Sequence, residues 1–382
     1  MKKRFLLILS TSGGAGHIRA AEALHQAVQT SVLPIKSDHH DCLDFTSGVF
    51  KRIYSGSYLA LVNRIPGLWG YFYDQAERKP YGKKGLVRLF DHFNYGGYLE
   101  ALRSMKPDAL ICTHFLPYIS ISERIRRAGI RAPVFAVTTD FYAHQLWIDP
   151  IVSRYYVHHD ESAWQLHAKG VSRERISVKG IPVLREFTRK LPQGTAQQLL
   201  ELHEKRFTLL VLSGGFGVGR VEQLVEVVAE TMGHHRSKRF NLLVVCGKNQ
   251  KAKTNLEKRR FPANIHVRVF GFVTNIHDLM DASDILVSKS GGLTSAESMA
   301  KRLPMIIVDS IPGQETRNAE MIVEHGAGLL ALDLPNLGYK LRRVIEEPAT
   351  LRRARQATRQ LAMPHAAREI ITDIYSFLEH RR

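Results

Sequence analysis

His17 closes the run Ser12-Gly-Gly-Ala-Gly-His17, where a glycine turn passes into a helical pattern carried by Ala20, Ala21, Leu24, Ala27 and Val28. The positive end of a helix disfavours imidazolium, so a ring placed there stays neutral at pH 7, as a general base requires. The plainer reading is a loop histidine in a chain that has 18 of them. Asp140, in Thr138-Thr-Asp-Phe141 after the apolar run Val134–Val137, either orients His17 and shares its proton work or caps the turn that follows.

The second half of the chain carries groups of another kind. Ser288-Lys-Ser-Gly-Gly-Leu-Thr-Ser-Ala-Glu-Ser-Met-Ala300 follows the apolar run Ile285–Val287. It sets Ser290, Gly291 and Gly292 at a turn before a helix whose first amides, around Leu293 and Thr294, have no helical acceptor. Such an end attracts an anion. Glu297 then suits the vicinal hydroxyls of a ribose, or simply complements the helix dipole. Ile311-Pro-Gly-Gln-Glu-Thr-Arg-Asn318 clusters Gln314, Glu315 and Asn318 past a Pro-Gly turn, an amide and carboxylate set suited to several sugar hydroxyls. An ordinary helix start is the alternative.

The elements that must hold these groups repeat. Phe5–Leu9, the glycine turn and the helix form strand, loop and helix; Thr208–Leu212, Ser213-Gly-Gly-Phe-Gly-Val-Gly219 and a helix from about Val221 to Met232 do so again. Gly214 and Gly215 in that second turn, like Gly13, Gly14 and Gly16 in the first, let backbone amides approach an anion, or else serve only as tight turns. Further short apolar runs at Ala109–Cys112, Tyr155–Val157, Leu242–Cys246, Val267–Val269 and Met305–Val308 predict an α/β chain with two parallel sheets covered by helices. The boundary falls in 180–206, giving domains 1–185 and 186–362, with 363–382 a terminal helix. Ile370, Ile371, Ile374, Phe377 and Leu378 share one face of that helix, which should pack on a domain.

With 382 residues, 44% of them hydrophobic, the chain exceeds one ordinary core and is not intrinsically disordered. Its formal charge of +18 implies a polyanionic neighbour, whether nucleic acid, an anionic membrane or phosphorylated substrates. The basic residues are spread over both halves with no nucleic-acid-binding module, so no nucleic-acid partner is expected. Cys42, Cys112 and Cys246 are too scattered for a disulfide framework, which suits the cytoplasm. The five-residue run Phe5–Leu9 is shorter than the roughly 7–15 of a signal peptide, and no run approaches the ~18 of a spanning helix. Any membrane contact is therefore peripheral. Residues 51–106, with ten Lys/Arg against four Asp/Glu and eleven of the 33 aromatics, suit an anionic membrane interface or an aromatic helical insertion packed on its own domain.

Several chemistries lack their signatures. Neither glycine turn reads G-x-G-x-x-G or G-x-x-x-x-G-K-[ST], so dehydrogenase and P-loop ATPase readings are poorly supported. No D-x-D triplet, HExxH or CxxC occurs. No metal and no cofactor are expected, and a departing diphosphate is left to helix N-termini.

Together these motifs resemble the two-domain GT-B glycosyltransferases of the monogalactosyldiacylglycerol synthase and processive diacylglycerol glucosyltransferase group, relatives of the N-acetylglucosaminyltransferase that makes lipid II. The resemblance runs nearly the whole chain. It rests on Gly13–His17 with Ala20–Leu24, Lys106-Pro-Asp108, Val137–Asp140, Val244–Lys248, Gly271–Val273, Lys289–Thr294 with Glu297, and Ile311–Glu315 with Asn318.

The resemblance implies two Rossmann-like domains about a cleft and an inverting transfer of glucose or galactose from a UDP-hexose to diacylglycerol. His17 would be the base, with Asp140 beside it, and Gly13, Gly14 and Gly16 would form the acceptor loop. Phe272 and Val273 would line the uracil site. Gly214, Gly215 and Ser290–Thr294 would surround the diphosphate, Glu297 would hold the ribose, and Gln314, Glu315 and Asn318 the hexose. Segment 51–106 would face anionic lipids on the inner face of the cell membrane, and the terminal helix would return to the N-terminal domain. Two relatives of this reaction stand as alternatives: transfer of N-acetylglucosamine to a polyprenyl-diphosphate-linked acceptor, and UDP-sugar 2-epimerisation on the same scaffold. Ser290 stands where relatives often carry Pro or Ala, a change that removes no backbone amide.

Overall fold

The computed structural model describes residues 3–12, 14–48, 51, 77, 96–213 and 220–380. Gly13, Gly214, Gly215 and most of the basic aromatic segment lie outside these described residues. In the first unit, β1 (Arg4–Ser10) leads into α1 (Ala15–Gln29), followed by β2 (Ile35–Asp41), α2 (Gly96–Met105), β3 (Ala109–Cys112), β4 (Val134–Val137), β5 (Val152–Val157), α3 (Asp160–Ala168) and β6 (Ile176–Val178). All strand pairs are parallel, in the order β2-β1-β3-β4-β5-β6.

Strand alternation builds this unit's core. Leu6 and Ile8 of β1 join Ala109, Ile111, Phe135, Val137 and Tyr156 on one face of the sheet. Leu7 and Leu9 join Leu110, Cys112, Val134, Ala136, Tyr155 and Val157 on the other. Successive residues of a strand point to opposite faces, so a strand buried on both sides must be apolar throughout. The edge strand β2 escapes that demand, and its sequence, Ile-Lys-Ser-Asp-His-His-Asp, is mostly polar.

The second unit contains β7 (Phe207–Leu212), α4 (Val221–His234), β8 (Phe240–Val245), β9 (Ile265–Phe270), β10 (Ile285–Ser288), α5 (Gly292–Ala300), β11 (Met305–Ile307), α6 (Gln314–Glu324), β12 (Gly328–Leu330), α7 (Leu334–Glu346) and α8 (Pro348–Leu361). Its parallel sheet runs β12-β11-β10-β7-β8-β9. Counted from β7, that is strand order 3-2-1-4-5-6, the doubly wound arrangement of dinucleotide-binding sheets.

The last helix, α9 (Ala366–Glu379), belongs to the first unit, which comprises the described residues up to Arg185, Pro312–Gln314 and those from Met363 onward; Glu186–Ile311 and Glu315–Ala362 form the second. Ile370, Ile371, Ile374 and Leu378 of α9 are buried in the same cluster as Ala21, Leu24 and Val28 of α1. Asp373 Oδ2 accepts from Arg154 Nη1 and from the Tyr156 hydroxyl, both at 2.6 Å. Gly180, at φ +94°, lies under the start of this segment: a Cβ there would stand 2.5 Å from Met363 Cβ. Both the left-handed backbone and the missing space demand glycine.

Candidate active site and nucleotide site

In an open parallel sheet, ligand sites form beyond the carboxyl ends of the strands, where the winding direction reverses. The first sheet reverses between β1 and β3, and the second between β7 and β10. The loop carrying His17 follows β1. The loop carrying Ser290 follows β10.

His17 is the third residue of α1, half-buried, and tied to the ends of two neighbouring strands. Its Nδ1 lies 2.9 Å from the Thr113 carbonyl oxygen and 2.8 Å from Thr139 Oγ1. A carbonyl only accepts, so Nδ1 carries the ring proton and the neutral ring keeps its lone pair on Nε2. Thr113 Oγ1 donates back to the His17 carbonyl at 2.8 Å. Burial lowers the His17 pKa, while the negative charge of Asp140 and the bond to Thr113 pull it back in part. Burial is thus the foremost cause of the neutrality that the helix end had suggested. Asp140 is itself buried and acts on His17 through its charge.

The His114 ring meets His17 edge-on at 4.5 Å. Burial, and then the neighbouring His17, hold its pKa well below the ordinary value, so the pair need not carry two positive charges. Thr113, His114 and Thr139 were not singled out from the sequence. Their one signal is position, immediately after the apolar runs that became β3 and β4.

Around Ser290 the second unit builds a lattice of hydrogen bonds. Ser290 is fully buried; its hydroxyl donates to the Glu315 carbonyl at 2.6 Å. Having given up its one proton, it accepts from Ser310 Oγ at 3.0 Å. Asn318, also fully buried, donates from Nδ2 to the Ser290 carbonyl at 3.0 Å, and Glu315 Oε2 accepts the Ile311 N–H at 2.8 Å. Gly313, at φ +87°, makes the turn that starts α6, where Gln314 and Glu315 are half-buried.

These bonds fix the loop that precedes α5. Gly291 caps the helix, and its carbonyl takes the first helical bond, from Ser295 N–H at 2.9 Å. The amides of Gly292, Leu293 and Thr294 therefore precede any helical acceptor and face forward. Glu297 is buried in the second turn. Behind the helix, the buried Lys301 ammonium pairs with Asp281 Oδ2 at 2.7 Å. After β9, Phe272 is 61% exposed and Val273 half-buried, so Phe272 presents a bare aromatic face. Among the described residues no group of three or more His, Cys, Asp or Glu is arranged to hold a metal ion, and no helix is long and apolar enough to cross a membrane.

Two doubly wound parallel sheets, each with a glycine-bearing loop at its reversal point, give the GT-B fold. Solved structures share this architecture: Acinetobacter baumannii MurG (TM-score 0.64, 14% identity, 98% of this chain and 99% of that one) and a putative UDP-N-acetylglucosamine 2-epimerase from Listeria monocytogenes (TM-score 0.66, 14% identity, 100% and 98%). Residues 17–183 match the monogalactosyldiacylglycerol (MGDG) synthase family, and residues 208–374 match the glycosyltransferase family 28 C-terminal domain. A processive diacylglycerol beta-glucosyltransferase of Bacillus cereus strain G9842 is 28% identical over 381 residues, 98% of this chain and 94% of the relative. The two parts of the chain are thus similar to the monogalactosyldiacylglycerol synthase family and to the family 28 C-terminal domain in turn, and the chain is a glycosyltransferase.

Proposed function

We propose that the chain transfers a hexose, glucose or galactose, from a UDP-sugar to the free hydroxyl of diacylglycerol with inversion, giving a β-glycosyl lipid. The observation that carries this reading is the lock on His17: with Nδ1 committed to the Thr113 carbonyl, a neutral imidazole offers Nε2 as a base within the part of the chain that matches the MGDG synthase family. The acceptor oxygen attacks the anomeric carbon while Nε2 takes its proton. The bond from that carbon to the phosphate oxygen breaks, and its electron pair leaves with UDP. Asp140 stabilises the imidazolium that forms.

In this reading the second unit holds the UDP moiety. Phe272 and Val273 receive the uracil. Gly214, Gly215 and the amide-rich stretch Ser290–Thr294 take the diphosphate, and Glu297 takes the ribose hydroxyls. Gln314 and Glu315 contact the hexose, and Asn318 contributes by holding Ser290. Helix amides carry the leaving charge, so no metal or other cofactor is required and EDTA should leave turnover unchanged. Gly13, Gly14 and Gly16 shape the acceptor side. The charge of +18 draws the enzyme to anionic lipids, as a peripheral protein on the inner face of the cell membrane.

Thin-layer analysis of the lipids made by purified enzyme from diacylglycerol and each UDP-hexose tests the reading. A glycosyldiacylglycerol is the expected product. Label found only in a polyprenyl-diphosphate acceptor, or an epimerised UDP-sugar with no lipid product, would replace it.

A further inference from the structure

Glu77 lies inside the basic aromatic segment 51–106; with Lys51 it is one of the two positions between 49 and 95 that the structure describes. Its carboxylate meets four donors. Oε1 accepts from the Tyr142 hydroxyl at 2.7 Å and the Lys169 ammonium at 2.5 Å. Oε2 accepts the Gln145 backbone N–H at 2.8 Å and faces His144 Nε2 at 3.1 Å. Because the Leu146 N–H donates to His144 Nδ1 at 3.1 Å, a neutral His144 keeps its proton on Nε2 and gives it to Glu77. A carboxylate offers about four lone-pair positions, and here all are used. Burial pushes the Glu77 pKa up, but the Gln145 amide, Lys169, His144 and Tyr142 outweigh it and bring it down to about 2.

Three of the four donors belong to one loop, Tyr142–Gln145, which starts two residues after Asp140. That loop is already fastened to its surroundings. Gln165 Oε1 accepts the Ala143 N–H at 3.1 Å, the Ser162 hydroxyl donates to the Phe141 carbonyl, and Lys169 donates a second bond to the Ala143 carbonyl at 2.7 Å. Thr139, at the near end of the same stretch, touches His17 Nδ1.

We infer that Glu77 is a positioning residue that holds the loop following Asp140 in place and thereby sets how the lipid acceptor meets His17. This rests on the diacylglycerol reading above. The requirement is for a carboxylate: glutamine at this position would turn an N–H2 toward two donors, and the fastening would fail although the size is kept.

The test uses the full chain with anionic vesicles of phosphatidylglycerol and phosphatidylcholine carrying diacylglycerol, and the UDP-hexose that the wild type accepts. Glu77→Gln should raise KM for diacylglycerol about tenfold and leave KM for the UDP-hexose within about twofold. Lys169→Met should act in the same direction, the double variant should be no worse than the worse single one, and Glu77→Asp should recover part of the loss. Hydrogen exchange should quicken in peptides covering Glu77 and 140–146, and stay unchanged in those from 221–345. Unchanged KM for the lipid, an equal rise in both KM values, or additive single effects would overturn the inference. Should Glu77→Gln fail to fold, Glu77→Asp and Lys169→Met carry the same comparison. A wild type that makes no glycolipid sinks the transfer reading and the acceptor role with it; unchanged exchange in Glu77→Gln sinks the tether itself.

Discussion

The turn that opens α1 and the turn that opens α5 share one plan, a strand end at a reversal point followed by small residues and a helix, yet they furnish opposite things. The first delivers a titratable ring. Neighbouring strand ends supply a carbonyl and a hydroxyl to Nδ1, and a buried carboxylate stands near. The second delivers backbone. Its serine, glutamate and asparagine are bonded to one another behind the loop, which leaves the helix amides in front. The winding of the sheet decides where a site forms, and the side chains behind the turn decide whether it moves a proton or holds an anion.

His17→Ala is the severest test of that contrast: kcat should fall by on the order of 10²–10⁴ while calorimetry finds UDP affinity unchanged. Turnover that survives would remove the base from the first turn. Asn318→Ala strips the Ser290 carbonyl of a buried donor, so UDP affinity should drop about tenfold and stability by roughly 1–3 kcal/mol in denaturant titration. An intact affinity would mean that the lattice does not shape the anion site. Glu297→Ala should weaken UDP by a smaller factor, about three- to tenfold, and uridine alone should show the same loss if the ribose is the contact.

The smallest effect concerns pH. His17 is lowered from its ordinary value, so the acid limb of kcat/KM should lie below about 6.5. Asp140 pulls that pKa upward. In Asp140→Asn the limb should therefore move further toward acid, with activity at its plateau reduced. A limb that stays in place would separate Asp140 from the base.

Much of this arrangement can be read from the residues because the central strands are buried on both faces and must spell continuous apolar runs, as Phe5–Leu9 and Leu242–Val245 do. Edge strands obey no such rule. The polar β2 and the three-residue β6 and β12 are invisible to that pattern, since one side of each is unpaired. His17 and Ser290 announced themselves by glycine turns. Thr113 and Thr139 did not, because a threonine after a strand carries no mark of the ring it will meet from 96 or 122 positions away. Glu77 was hidden for a related reason: its meaning lies in four donors gathered from other parts of the chain.

The return of α9 makes the first unit discontinuous in the chain, and this bears on any attempt to dissect the protein. Cutting after Arg185 would strip Ala21, Leu24 and Val28 of the isoleucines that cover them and leave Arg154 and Tyr156 without the carboxylate they share. A stand-alone first unit has to be spliced rather than truncated, with residues from Met363 grafted back behind an unaltered Gly180. A frameshift or nonsense codon within α9 would then damage the half of the enzyme encoded first.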